Sequence, residues 1–68
     1  QLNLINMNRE QALEALQNGN KLTHTYFLEG EFIQLNLKNG NIETEDGFDF
    51  TERFKTNPEL NKGWSIIE

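Results

Sequence analysis

Phe32-Ile33-Gln34-Leu35-Asn36-Leu37-Lys38-Asn39-Gly40-Asn41-Ile42-Glu43-Thr44 decides the fold of this 68-residue chain. Ile33, Leu35 and Leu37 alternate with polar residues, which is the period of a half-buried strand. Asn39-Gly40 follows, and both residues tolerate positive φ, so the pair is the strongest hairpin signal in the sequence. A two-residue turn there sets Leu37 opposite Ile42 and Leu35 opposite Thr44. That register fixes which face of an antiparallel hairpin is apolar.

Upstream of the hairpin, Lys21 to Phe27 alternates and holds two Thr and two aromatics, which predicts another strand. Downstream, Asp46-Gly47 offers a second turn before Phe48-Asp49-Phe50. Counted through a two-residue turn, Phe48 and Phe50 fall on the side opposite Leu35, Leu37 and Ile42, together with Phe32. Either a bulge at this turn flips the parity or the sheet has two apolar faces. The second is the expectation adopted, with Phe32, Phe48 and Phe50 in a contact between subunits.

The flanks supply helices. Asn8 can cap, Gln11 can complete a capping box and Met7 can staple against Ala12. Ala12, Leu13, Ala15 and Leu16 form an apolar stripe, and Gly19 supplies a left-handed stop, so a helix is predicted over about 9–17. Met7 reads as a natural start, with residues 1–6 an extension whose Leu2-Asn3-Leu4 alternation can add an edge strand. A short helix is predicted over about 51–56, ended by Asn57-Pro58, because the residue before Pro avoids helical angles. Residues 57–62 read as a polar loop, and Trp64 to Ile67 as a last strand with Trp64 and Ile66 inward. The sum is one α+β domain over 1–68: an N-terminal helix packed on an antiparallel sheet of four to five strands, with a short second helix before the last strand.

Composition limits what this domain can do. A chain this short buries only roughly 60% of its unfolded surface, and without Cys it has no disulfide to reinforce its core. Self-association is the remaining common reinforcement, so a homo-oligomer is expected. The longest apolar run is three residues, too short for a membrane span or a secretory leader. His24 is the single His, which excludes a two-His metal site within one subunit. Ser65 lies in a strand without a nucleophile elbow. The five glycines are isolated turn residues rather than a phosphate loop. No catalytic residue, metal or cofactor is therefore assigned, and the expected role is binding.

Two surfaces are candidates. His24, Tyr26, Phe27 and Trp64 combine flat rings with polar tips, and Arg53, Lys55 or Lys62 can neutralise phosphate, which together would suit a nucleotide-like ligand. Between Asn39 and Glu52 lie five acids (Glu43, Glu45, Asp46, Asp49, Glu52) and no Lys or Arg, and they account for the whole net charge of −5. Such an arc repels nucleic acid and would dock a basic protein, with Glu43, Glu45, Asp46 and Asp49 as the contacts.

The layout also resembles a group of small phage and prophage proteins. The stretches that carry the likeness are Arg9 to Gly19, Lys21-Leu22-Thr23-His24-Thr25-Tyr26-Phe27, Gly30-Glu31-Phe32-Ile33, Asn39-Gly40-Asn41-Ile42, Glu45-Asp46-Gly47 and Gly63-Trp64-Ser65-Ile66. They are similar to the phage family that includes the Thoeris anti-defence proteins and a similar anti-CRISPR. The resemblance implies an oligomeric α+β protein in the host bacterial cytoplasm that neutralises immunity without catalysis. In the Thoeris group this means sequestering a cyclic nucleotide-derived signal in pockets between subunits. Tyr26-Phe27 stands where that group commonly has Trp, its central insertion is missing here, and the acidic arc disfavours a phosphate. An inhibitor of a host nuclease or defence effector is the alternative.

Overall fold

The computed structural model describes residues 6–67, so the expected strand at Leu2 to Leu4 lies outside the described residues. The elements are β1 (Met7–Asn8), α1 (Arg9–Gln17), β2 (Lys21–His24), β3 (Ile33–Leu35), β4 (Ile42–Thr44), α2 (Thr51–Thr56), a 3-10 turn (Pro58–Leu60) and β5 (Lys62–Ile67). The strands form one antiparallel sheet in the order β1-β5-β2-β3-β4. This is the α+β architecture that the sequence pattern implies.

The predicted capping box of α1 is present: Gln11 N–H donates to Asn8 Oδ1 at 2.8 Å and Asn8 N–H to Gln11 Oε1 at 3.0 Å. Its C-terminus closes as a Schellman motif. Asn20 N–H donates to the Ala15 carbonyl and Gly19 N–H to that of Leu16, with Gly19 at φ 92°. Ala12, Ala15 and Leu16 are buried against the sheet.

Cross-strand neighbours in an antiparallel sheet share a face. The pairs Met7–Trp64 and Trp64–His24 therefore line one side, as do Ile66–Leu22, Leu22–Ile33 and Leu35–Ile42. This is the side that the helices cover. The pairs Lys21–Ile67, Thr23–Ser65 and Gln34–Glu43 fall on the other, uncovered side. Phe50, Phe54 and Leu60 complete the core from α2 and its flanks. The radius of gyration of 10.7 Å matches the value of about 11 Å for a folded chain of this length, so the core closes within one protomer.

Two expectations about register are corrected. The β3–β4 hairpin pairs Ile33 with Thr44 and Leu35 with Ile42, two residues away from the expected register. A four-residue loop, 37–40, replaces the tight turn: Asn36 N–H donates to the Asn41 carbonyl, and Gly40 N–H to that of Asn36. The side chains of Asn36 and Asn39 accept from the N–H groups of Lys38 and Asn41, offering the backbone partners outside the ladder. A slip of two residues preserves the apolar face but leaves Leu37 in solvent.

The second correction concerns parity. Thr44 N–H donates to the Phe48 carbonyl and Phe50 N–H to that of Ile42, so the loop is Glu45-Asp46-Gly47, three residues rather than two. Gly47 at φ 86° takes the left-handed position that three-residue hairpins require. The extra residue brings Phe50 onto the covered face, 9 % exposed, while Phe48 beyond it is 70 % exposed. The sheet thus has one apolar face, not two.

The strand predicted from Lys21 to Phe27, β2, also ends early. His24 is its last residue, because the His24 carbonyl accepts Phe27 N–H at 2.9 Å and turns the chain.

Arg9 ties the two helices together. Its guanidinium donates through Nε to the Phe54 carbonyl at 2.9 Å and through a terminal nitrogen to that of Asn57, while its own N–H donates to the Asn61 carbonyl. The C-terminal carbonyls of α2 lack helical partners and carry partial negative charge, which a guanidinium satisfies. Arg9→Met keeps the aliphatic stem and removes both side-chain bonds. A loss of about 1.5–3 kcal/mol, the range for hydrogen bonds to charged groups, is expected in urea unfolding.

Candidate functional site

Of the six residues expected to form a ligand cleft, two are pinned in the interior. Trp64 is fully buried. Its Nε1–H donates to the Leu60 carbonyl at 2.8 Å, and its ring packs against His24, Phe27 and Phe54. His24 is buried beside it, and both of its ring nitrogens are engaged. Nδ1 accepts Tyr26 N–H at 3.1 Å, so Nε2 bears the proton and donates to the Lys62 carbonyl at 2.6 Å. One neutral tautomer fits both bonds. His24 and Trp64 are therefore structural, and among the described residues no buried side-chain nitrogen or oxygen lacks a partner.

The other four line separate concavities. Tyr26, 71 % exposed, lines a concavity of about 280 Å³ with Asn6, Glu59, Lys62 and an edge of His24. Phe27 and Arg53 line a second, of about 210 Å³, with Glu31, Glu45 and Phe50. Lys55 lies in a third, of about 270 Å³, with Leu13 and Leu35. The structure gathers His24, Tyr26, Phe27 and Trp64 into one ring cluster, with His24 5.2 Å from Tyr26 and 5.8 Å from Phe27. It leaves Lys55 apart, while Arg53 shares only the Phe27 cavity. It also places Phe27 against Phe50 at 6.0 Å, edge to face, and the Arg53 guanidinium over the Phe50 ring at 5.7 Å. Of the expected subunit contacts, Phe32 lies half-buried with the Lys21 ammonium 4.8 Å from its ring centroid. Phe50 belongs to the core of its own protomer.

The acidic arc is divided as well. Glu43 accepts from the side-chain amide of Asn36 at 3.1 Å and faces the 37–40 loop at one end of the sheet. Asp49 is the cross-strand neighbour of Glu43, whereas Glu45 and Asp46 lie at the opposite end. There they meet a loop that sequence reasoning read as strand and turn. Because Leu22 pairs with Ile33 and Ile33 with Thr44, segments 25–32 and 45–49 leave the sheet on the same side. The Phe32 N–H donates to Glu45 Oε1 at 3.1 Å and joins them. Within the first segment Leu28 N–H donates to Glu31 Oε1 at 2.7 Å and Glu31 N–H to the Leu28 carbonyl. Leu28, 73 % exposed, and the acids Glu29 and Glu31 were missed as surface residues. The signal available was Leu-Glu-Gly-Glu, an apolar residue beside a glycine turn, where exposure is common.

Asp49 is held below the ordinary carboxylate range by hydrogen bonds from the Thr51 hydroxyl and from Thr51 N–H, the latter at 3.0 Å. Thr51 in turn accepts Ile42 N–H, so the carboxylate fixes the entry into α2.

Among the described residues no group of three or more His, Cys, Asp or Glu can hold a metal, and no helix is long and apolar enough to cross a membrane. No family model, curated protein or solved structure matches the chain.

Two outcomes test this account. Gly63, at φ 99°, sits where an added Cβ would lie 2.9 Å from Thr25 Oγ1 and 3.0 Å from His24 Nε2. Gly30, at φ 91°, faces open space. Both changes to Ala carry the left-handed penalty of about 1–2 kcal/mol, and Gly63→Ala is expected to cost more in urea unfolding because it also displaces His24. For Asp49, a lowered folded-state pKa means stabilisation that is present above the ordinary carboxylate range and lost as pH falls through it. The gap in melting temperature between the wild type and Asp49→Asn, which keeps a neutral oxygen for the Thr51 N–H, is expected to shrink between about pH 6 and about pH 3.

Proposed function

We propose that this chain is a non-catalytic binding protein that docks on a basic protein surface through the sheet end formed by segments 25–32 and 45–49. One observation carries the reading. Of the five large apolar side chains exposed among the described residues, Tyr26, Leu28 and Phe48 all belong to these two segments. Of the acids in these segments, Glu29, Glu31, Glu45 and Asp46 lie at that end, and neither segment holds a Lys or Arg. Apolar and aromatic anchors amid charge have the composition of an interface centre with its rim, and a single sign of charge steers an oppositely charged partner. The setting suggested by the resemblance to phage anti-defence proteins is inhibition of a host nuclease or defence effector, whose nucleic-acid groove is basic. Sequestration of a nucleotide-derived signal by a homo-oligomer is the second reading. It is favoured by the concavity beside the exposed Tyr26 ring and Lys62, with a second protomer needed to enclose a whole nucleotide.

Calorimetric titration against purified bacterial nucleases with basic grooves, and against cyclic nucleotides, separates the two. On the docking reading a nuclease binds with an affinity that falls as salt rises. Glu45→Lys with Asp46→Lys then weakens binding roughly ten-fold or more. Glu10→Lys, on the exposed face of α1, leaves it unchanged. Saturable heat from a cyclic nucleotide, lost in Lys62→Ala, would favour sequestration instead.

A further inference from the structure

The cavity between Phe27 and Phe50 has a chemistry of its own. We infer that it receives one cationic side chain, an Arg or Lys of the docked protein, and that Arg53 is its resident occupant. This inference rests on the docking reading above and names the contact by which that partner is held.

Size is the first argument. At about 210 Å³ the cavity falls below the roughly 300–1,000 Å³ of sites that enclose whole small molecules, and it suits a single side chain. Its walls decide the charge. Phe27 and Phe50 meet edge to face, and aromatic faces carry negative π charge that attracts cations. Glu31 and Glu45 stand on its lining. Each has one oxygen held by a backbone N–H, of Leu28 and Phe32 respectively. A carboxylate has about four lone-pair sites on its two oxygens, so both keep capacity for a further donor. Two carboxylates and three rings, those of Phe27, Phe32 and Phe50, outweigh the one guanidinium on the lining and favour a cation over an anion.

The molecule already makes this contact with itself. The Arg53 guanidinium lies 5.7 Å from the Phe50 centroid, within cation–π range. Arg53 is an exposed residue of α2, so an incoming side chain competes with a surface group rather than with the core. The position is apt: Glu31 and Glu45 belong to the same two segments that expose Leu28 and Phe48. Guanidinium stacks on rings and bonds carboxylates bidentately, whereas ammonium does neither. Arg is therefore the preferred occupant.

The test uses Nα-acetyl-arginine amide as a probe, followed through the aromatic ring signals in NMR titrations. In the wild type, saturable shifts confined to Phe27, Phe32 and Phe50 are expected. In Arg53→Ala the probe should bind about two- to five-fold tighter, the factor set by one exposed cation–π contact. Glu31→Gln with Glu45→Gln preserves the oxygens that accept the Leu28 and Phe32 amides while removing the charges, and should abolish the shifts. The lysine analogue should bind more weakly. Unchanged ring signals in both wild type and Arg53→Ala, or shifts spread evenly over the acidic surface, overturn the inference. Nuclease binding that persists at Tyr26, Leu28 and Phe48 without any change at Phe27, Phe32 and Phe50 overturns the cavity alone and leaves the docking surface standing. Probe binding in the cavity without any nuclease bound overturns the docking reading instead.

Discussion

Trp64 can be buried only because its indole N–H has a partner inside. Removing an N–H from water without a hydrogen bond costs as much as several kcal/mol, a large fraction of what so small a domain can muster. The Leu60 carbonyl supplies that partner, and it is in place because Pro58 to Leu60 forms a 3-10 turn held by the Asn57 side chain. The turn is anchored by Arg9, whose guanidinium bonds the Phe54 and Asn57 carbonyls. A chain of hydrogen bonds therefore runs from the start of α1 to the centre of the sheet. Trp64 then presents its ring to His24, Phe27 and Phe54.

That economy explains why His24 and Trp64 are drawn into the interior. In a larger protein a histidine and a tryptophan on adjacent strands can be spared for a ligand. Here they are the core. His24 serves as a two-ended strut between Tyr26 N–H and the Lys62 carbonyl, and Gly63 is small because His24 leaves no room for a Cβ.

The acids follow a related logic. Glu31 and Glu45 each accept a backbone N–H in the loop that carries the exposed Leu28, and Asp49 accepts that of Thr51 where the chain enters α2. These carboxylates order the loops while charging their surroundings. Loops ordered before binding lose less entropy when a partner arrives, so one set of residues gives the surface both its sign and its shape.

Much of this was legible in the residues. The capping box of Asn8 and Gln11, the stop at Gly19, the helix ended by Asn57-Pro58 and the inward Trp64 are local signals, set by hydrogen bonds and torsions within a few positions. The α+β class follows from their order. The length of the two hairpin loops was not legible, because Asn36, Asn39 and Thr44 compete for backbone groups with geometries that only a paired strand arbitrates. One residue in the 45–47 loop moved Phe50 from an expected subunit contact into the core and left Phe48 outside. The candidate site was legible in composition and in its ring cluster, but not in the grouping of its acids. Sequence determined the two helices and the sign of the charge, since each depends on neighbours along the chain. Tertiary structure decided which rings are core and which acids share an end, because both depend on register and on where distant loops leave one sheet.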